Sequence, residues 1–175
     1  INIRKVCVMA KVSIIGTGTW GIALGMVLAQ NGHEVTAWSA LPKEIEALRE
    51  SYTCKNLPGV EIPRSIVFTA DLQEACTDKE MLVLSVPSVF TRGVAKQMNP
   101  FVKEGQLIVS VAKGIEEKTL MTMSQQIEEE LPMANVAVLS GPSHAEEVSR
   151  GIPTTVVAGA KDRQTAEHIQ NLFMS

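Results

Sequence analysis

The chain has 175 residues, of which 45% are hydrophobic and 20% are charged, and its formal net charge at pH 7 is -3. A chain of this size and composition folds as one ordinary domain with a real core and shows no compositional sign of disorder. Its basic residues are scattered, which argues against nucleic-acid binding, because contacts to a phosphate backbone need a concentrated basic patch.

Short β-branched segments alternate along the chain with segments of helical periodicity. The predicted strands cover residues 12–15, 34–38, 65–69, 81–86, 106–111, 136–139 and 154–158. The predicted helices cover residues 20–31, 42–51, 72–76, 88–98, 116–131, 143–149 and 162–173. Strands that are apolar on both faces and alternate with helices form parallel sheets covered on both sides. The sequence therefore predicts an α/β fold with a doubly wound, mostly parallel, Rossmann-like sheet.

The first long apolar run, residues 12–29, contains no charged side chain and follows Arg4, Lys5 and Lys11. That order resembles a secretory signal or a membrane-spanning segment. The run contains four glycines, each of which costs a helix up to about 1 kcal/mol relative to alanine. A spanning helix also needs about 20 mostly apolar residues. We therefore predict no membrane insertion and interpret the run as the start of a nucleotide-binding fold.

The sequence near each end of the chain indicates where the domain begins and whether it continues. Met9 directly precedes the first clear strand. Residues 1–8 are therefore predicted to be a non-native or disordered extension, and residues 9–175 the domain. The sequence stops just after a predicted helix, where a doubly wound sheet often continues. We therefore expect the chain to be part of a longer protein.

Cys7, Cys54 and Cys76 are odd in number and far apart, without a C-x-x-C pair. This usage is typical of reduced thiols rather than of a disulfide framework or a zinc site. It predicts a cytoplasmic protein without a metal centre.

The segment Gly16-Thr17-Gly18-Thr19-Trp20-Gly21 has the pattern G-x-G-x-x-G between a predicted strand and a predicted helix. In such a turn the first glycine permits the sharp bend, and the second lets the main chain approach a pyrophosphate. The third lets the helix pack closely on the strand. The helix N-terminus adds free N–H groups and partial positive charge. In this context the pattern predicts a dinucleotide-binding turn.

The second strand ends without the acidic residue that usually holds the ribose hydroxyls of NAD. Trp38, Ser39, Ala40 and Leu41 occupy that region instead. No arginine for the extra phosphate of NADP follows them, and Lys43 is better explained as a solvated lysine at a helix start. The predicted cofactor is therefore NAD or NADP, with no preference between them.

Further motifs, together with the glycine-rich turn, resemble the bacterial type of NAD(P)-dependent glycerol-3-phosphate dehydrogenase. They are Asn56-Leu57-Pro58-Gly59, Ser85-Val86-Pro87-Ser88, Ala112-Lys113-Gly114-Ile115-Glu116, the segment from Leu139 to Val148, and Gly151-Ile152-Pro153-Thr154. The resemblance covers essentially the whole chain from Met9 onward, and its most specific part runs from Ser140 to Thr154. It implies the amino-terminal, cofactor-binding domain of such an enzyme, with a helical second domain absent from this chain.

The resemblance implies a reversible hydride transfer between sn-glycerol 3-phosphate and dihydroxyacetone phosphate, which supplies glycerophospholipid synthesis. It also implies a homodimer, and a catalytic lysine beyond residue 175 in the helical domain. We therefore expect this chain to bind NAD(H) or NADP(H) and to turn over little substrate by itself. The expected partner is a small phosphorylated molecule.

Residue roles follow from the same resemblance. The implied cofactor-binding residues are Gly16, Gly18, Thr19, Trp20, Gly21, Ala40, Pro87, Phe90, Lys113 and Ala145. The implied substrate-binding residues are Lys113, Gly141 and Ser143, with Lys113 in a supporting catalytic role. Ala40 occupies a position where many bacterial members carry a basic residue near the adenosine ribose, and this departure weakens the case for NADP.

Part of this assignment is supported by the residues without the resemblance. Pro87, Lys113 and Gly141 each follow the carboxyl end of a predicted strand, which is the edge where open parallel sheets bind ligands. An ammonium at that edge can stabilise the negative charge that develops during hydride transfer. Residues 140–143 can present N–H groups and a hydroxyl at the next helix start, as an anion site, as a simple cap by Ser143, or as both.

Two other functions stay open on the sequence. One is a non-catalytic module that senses NAD(P) and reports it to a partner, and such a module has no use for Lys113 or for residues 140–143. The other is a related dehydrogenase on a similar domain that acts on a different hydroxy or keto substrate.

Overall fold

The structure, a computed structural model, describes residues 9–174. Its strands are β1 (Lys11–Ile15), β2 (Glu34–Trp38), β3 (Val67–Thr69), β4 (Met81–Leu84), β5 (Leu107–Ser110), β6 (Asn135–Ser140) and β7 (Val157–Gly159). Its α-helices are α1 (Thr19–Gln30), α2 (Pro42–Ser51), α3 (Leu72–Cys76), α4 (Thr91–Met98), α5 (Met123–Glu130), α6 (Ala145–Ser149) and α7 (Arg163–Phe173). The predicted extension at residues 1–8 lies outside the described residues, and so does its Cys7.

One sheet of seven strands has the order β3-β2-β1-β4-β5-β6-β7. Strands β1 to β6 are parallel, and the edge strand β7 is antiparallel to β6. The chain leaves β1 toward β2 and β3 and returns to β4 on the other side of β1, so the strand order reverses between β1 and β4. Ligands of open parallel sheets bind outside the carboxyl ends of the strands at such a reversal. The predicted mostly parallel, doubly wound sheet is confirmed.

Alternate side chains of the central strands pack on opposite faces of the sheet. Ile14 of β1 and Val83 of β4 are buried on the face covered by α1, α2 and α7. Ile15 and Leu84 are buried on the face covered by α3, α4 and α5. Each such side chain contributes about 1.5–3 kcal/mol by leaving water. Burial on both faces explains why these strands are so apolar, since neither face meets solvent.

The uncharged run at residues 12–29 forms most of β1 and most of α1. The glycine-rich turn separates the two elements, so the run is not one continuous helix. No helix in the described part of the chain is long and apolar enough to cross a membrane.

The helix predicted over residues 116–131 is wrong in its first half. Helix α5 covers only Met123–Glu130. Leu120 has φ +58°, a left-handed conformation that interrupts a helix. Thr122 then caps α5, because its Oγ1 accepts from the Gln125 N–H and its own N–H donates to Gln125 Oε1. The sequence of this capping box has the pattern T-x-x-Q, which indicates the start of a helix.

Several other boundaries differ from the prediction by a few residues. The helix predicted from residue 88 opens with a tight 3-10 turn at Ser88–Phe90 before α4 begins. The last strand lies at Val157–Gly159 rather than at residues 154–158. Pro153 has no N–H to donate to a sheet ladder, and the chain after it pairs with β6 only from Val157 onward.

The Thr122→Ala substitution removes the side chain that caps α5 and is expected to lower the free energy of unfolding by about 1 kcal/mol. Thr122→Ser keeps the hydroxyl and is expected to stay near the wild-type value. Urea unfolding followed by circular dichroism measures both. Equal losses in the two variants would contradict the cap as the source of this stability.

Candidate functional site

The glycine-rich turn between β1 and α1 is held by close main-chain contacts. The Gly16 N–H donates to the carbonyl oxygen of Trp38 at the end of β2 (2.9 Å). Gly16 has φ +117°, and a Cβ there would lie 2.8 Å from the Ser85 carbonyl oxygen. A Cβ at Gly21 would overlap the Gly16 carbonyl oxygen. The first and third glycines are therefore required by the packing of β1, α1 and the end of β4.

Gly18 differs from those two glycines, because a Cβ there would meet no atom of the described residues within 4 Å. The residue is the N-cap of α1, and no side chain caps the helix. The first turn of α1 also has no acidic residue. Among residues 9–174, no side chain therefore satisfies the free N–H groups of this helix start or the positive end of its dipole. Such a helix end can bind a diphosphate.

Two cavities lie at the carboxyl edge of the sheet and share Gly18, Ser85, Val86 and Pro87. The first, called the β2-side cavity, has a volume of about 570 Å³ and is bounded by the glycine-rich turn, residues 38–41 and α4. The second, called the β6-side cavity, has a volume of about 470 Å³. It is bounded by the start of α1 and by the segments that follow β5 and β6. The shared wall makes them one cleft across the reversal between β1 and β4.

The β2-side cavity is lined by one carboxylate that was not predicted and by five of the predicted cofactor residues: Gly16, Gly18, Ala40, Pro87 and Phe90. Ala40 and Phe90 both line this cavity, and both are exposed to solvent, Phe90 by 59%. Glu44, from the first turn of α2, also lines the cavity and accepts a hydrogen bond from Ser39 Oγ (2.6 Å). The sequence pattern does not single out Glu44, because the acidic residue of this fold type is expected at the end of β2 and Glu44 lies in α2. The available signal was an acidic residue in the first turn of the following helix.

The β6-side cavity contains Lys113, which was predicted to supply a positive charge at this edge. The Lys113 Nζ donates to the Gly141 carbonyl oxygen over 2.9 Å. This bond links the segment after β5 to the segment after β6. A lysine ammonium has three donors, so the side chain has donors left for a ligand.

The segment after β6 brings Ser143, a predicted substrate residue, and Ala145, a predicted cofactor residue, to the same cavity, whereas Gly141 does not line it. The Ser143 N–H donates to the Gly141 carbonyl oxygen (3.0 Å), and Ser143 and Ala145 line the cavity. The helix predicted over residues 143–149 begins only at Ala145, because His144 is extended and serves as the N-cap. The interpretation of Ser143 as the helix cap is therefore wrong, and its hydroxyl makes only a long contact, 3.5 Å, with Gly141 O.

Two buried hydroxyls beside the glycine-rich turn have no hydrogen-bond partner within the described residues. They are Thr17 Oγ1 and Ser85 Oγ, and both residues line the β2-side cavity. Buried polar atoms are nearly always paired with protein, ordered water or a bound group. Leaving one unpaired costs about 1–3 kcal/mol. These hydroxyls, with the open space at Gly18, fit a polar ligand such as a dinucleotide.

One arginine of α4 anchors the loop that follows Lys113. The Arg92 guanidinium contacts Glu116 of this loop (2.8 Å) and two carboxylates of α5 (2.6 and 2.9 Å). These bonds raise the pKa of Arg92 above its usual range. Hydrogen bonds from Arg92 and from the Thr119 hydroxyl lower the pKa of Glu116 to about 2. The ion pairs fix the loop only three residues from Lys113.

Comparison with known proteins gives the family of this chain. The profile described as NAD-dependent glycerol-3-phosphate dehydrogenase N-terminus matches residues 11–166. The chain belongs to the NAD-dependent glycerol-3-phosphate dehydrogenase family. The resemblance carried by the sequence motifs is therefore confirmed.

Curated relatives of this chain have names that agree with this family assignment. The protein named glycerol-3-phosphate dehydrogenase (NAD(P)+) in Agathobacter rectalis is 59% identical over 168 residues, and that of Fusobacterium nucleatum is 50% identical over 170 residues. The alignments cover 95% of this chain and 50% and 51% of the two relatives. The chain therefore spans about half the length of the curated relatives it matches.

A solved structure of the glycerol-3-phosphate dehydrogenase family has the same fold. The enzyme of Coxiella burnetii matches with a TM-score of 0.88 and 25% sequence identity. The match covers 95% of this chain and 51% of that chain. Membership of an NAD(P)-dependent family confirms the prediction that the cofactor is NAD or NADP.

The low pKa of Glu116 predicts a pH-dependent stability. Folding favours its charged form, because its pKa is about 2 in the folded chain against the usual 4.5. Its contribution is complete above about pH 4.5 and is lost as the pH falls toward 2. We expect the difference in free energy of unfolding between wild type and Glu116→Gln to shrink across that window, as measured by urea unfolding at a series of pH values. A difference that stays constant throughout the window would contradict the ion pair as its source.

Proposed function

We propose that the protein is a glycerol-3-phosphate dehydrogenase, which transfers a hydride between sn-glycerol 3-phosphate and dihydroxyacetone phosphate with NAD or NADP. One observation carries the proposal: a single cleft joins a dinucleotide-type glycine turn to a lysine ammonium. Membership of the family supports the reaction class. In this proposal the chain supplies the cofactor-binding half of the enzyme and part of its substrate site.

The residues proposed to hold the dinucleotide surround this cleft. Gly18 leaves room for the diphosphate at the start of α1, where main-chain N–H groups bind it. The β2-side cavity is proposed to take the adenosine and the β6-side cavity the nicotinamide, which when bound supplies the hydride acceptor or donor. The full proposed set is Gly16, Gly18, Thr19, Trp20, Gly21, Ala40, Pro87, Phe90, Lys113 and Ala145.

Lys113 is proposed to bind the reacting oxygen of the substrate. Its ammonium stabilises negative charge on that oxygen while the hydride moves, as a donor aimed at developing charge does. The bond to the Gly141 carbonyl oxygen holds the ammonium in place without neutralising its charge. Gly141 and Ser143 are proposed to bind the rest of a small phosphorylated substrate, with the Ser143 hydroxyl as a donor.

We further propose a cytoplasmic homodimer that supplies glycerophospholipid synthesis. Cys54 and Cys76 are free thiols, and burial raises the pKa of Cys76 to about 12. This thiol therefore stays protonated and unreactive. Unpaired thiols suit a reducing compartment. The lipid role and the dimer rest on the likeness to the family.

The Gly18→Ala substitution adds a methyl group where the diphosphate is proposed to lie. We expect the affinity for NADH to fall at least about tenfold, which corresponds to about 1.4 kcal/mol. The free energy of unfolding is expected to change by no more than about 1 kcal/mol, because the methyl group contacts no atom in the described part of the chain. NADH fluorescence titration and urea unfolding measure the two quantities. A folded variant with wild-type NADH affinity would count against the proposed diphosphate site.

The Lys113→Ala substitution removes the proposed charge at the reacting oxygen. We expect kcat/KM for dihydroxyacetone phosphate to fall by about 100-fold in the whole protein, while most of the NADH affinity is retained. Lys118→Ala is the matched control, because Lys118 is an exposed lysine of the same loop that does not line the cavity. Steady-state kinetics with saturating NADH measure both variants. An unchanged kcat/KM in Lys113→Ala would refute the proposed role of the ammonium.

A further inference from the structure

The β2-side cavity contains a carboxylate that is held in a defined position. Ser39 follows directly after β2 and is buried. Its Oγ donates to Glu44 Oε2 over 2.6 Å and accepts a hydrogen bond from the Leu41 N–H (3.2 Å). The Ser39 hydroxyl thus connects the end of β2 to the first turn of α2. It engages Glu44 Oε2, and within the described residues Glu44 Oε1 has no hydrogen bond and can accept from a ligand.

No lysine or arginine lines the β2-side cavity in the described part of the chain. Lys43 precedes Glu44, but it is exposed and does not line the cavity. Arg49, in the last turn of α2, uses its guanidinium on the Phe68 carbonyl oxygen (3.0 and 2.6 Å). The fixed charge in the wall of this cavity is therefore negative.

NAD and NADP require different side chains beside the adenosine ribose. In folds of this type a carboxylate near the second strand accepts hydrogen bonds from the ribose hydroxyls of NAD, whereas the 2′-phosphate of NADP is accommodated by an arginine. A phosphate monoester carries about -1.5 to -2 charges at pH 7. Like charges that face each other at a binding site weaken the binding of the wrong ligand. Among the described residues, the β2-side cavity has the carboxylate that NAD requires and lacks the cation that the 2′-phosphate of NADP requires.

We propose that Glu44 is the residue that makes the protein select NAD(H) over NADP(H). Its free oxygen accepts a hydrogen bond from the adenosine ribose diol, and its charge repels a 2′-phosphate. Ser39 is a positioning residue, since it orients the Glu44 carboxylate. The inference rests on the proposed function, because it takes the β2-side cavity as the adenosine end of the dinucleotide site.

The test compares NADH and NADPH binding to the chain and to two variants. Trp20 lines the cleft, so energy transfer from tryptophan to the reduced nicotinamide reports binding of either nucleotide. Wild type is expected to bind NADH at least about tenfold more tightly than NADPH, the size of one charge-assisted hydrogen bond. Glu44→Gln keeps the shape of the side chain and removes the charge. It is expected to weaken NADH binding several-fold, strengthen NADPH binding and so reduce the preference below about threefold.

Glu46→Gln is the matched control, because it removes one charge from an exposed position on the same helix that does not line the cavity. It is expected to keep the wild-type preference. Circular dichroism establishes that each variant is folded. Raising the salt concentration is expected to narrow the wild-type preference by screening the repulsion of the 2′-phosphate and to leave Glu44→Gln nearly unchanged.

Two results would overturn the role of Glu44 while leaving dinucleotide binding intact. One is equal affinity of wild type for NADH and NADPH. The other is an unchanged preference in Glu44→Gln. Absence of saturable binding of either nucleotide to the folded wild-type chain would instead overturn the proposed function, and the selection of NAD(H) with it.

Discussion

The close approach of β1, α1 and the end of β4 is the constraint on which the rest of the structure depends. Bare main chain at Gly16 and Gly21 lets the turn lie against the Ser85 carbonyl and lets α1 begin at once. A side chain at either position would push α1 off the sheet, because protein interiors are close-packed. The start of α1 would then leave the cleft, and the wall shared by the two cavities would open. The same contacts therefore serve folding and the cleft.

Most of the fold could be predicted because its physical signals are local and strong. Strands buried on both faces are nearly continuous apolar runs, and the glycine-rich turn marks where β1 ends and α1 begins. A parallel sheet then brings the carboxyl ends of its strands to one edge, which explains why Lys113 and Gly141, 28 residues apart, meet in a hydrogen bond. The half-wrong helix at residues 116–131 shows the limit. A periodic pattern continues through a left-handed residue, and only the capping pair at Thr122 marks the true start.

The part of the site that escaped prediction depends on contacts between elements. Glu44, the carboxylate of the β2-side cavity, lies five residues after Ser39. Its position in space depends on how α2 is oriented relative to β2. A search for an acid at a fixed place after the strand cannot find it. The unpaired hydroxyls of Thr17 and Ser85 are likewise invisible in sequence, because their burial arises only when the turn packs on the end of β4. Ser143 was misplaced for a similar reason, since the conformation of His144 decides where α6 begins.

The ionic cluster around Arg92 joins the two sides of the cleft. Arg92 precedes Gly93 and Val94, which line the β2-side cavity, and its guanidinium contacts Glu116 in the loop that carries Lys113 of the β6-side cavity. The guanidinium therefore braces helix α4 against that loop. The walls of the two cavities are connected by these ion pairs as well as by the residues that they share.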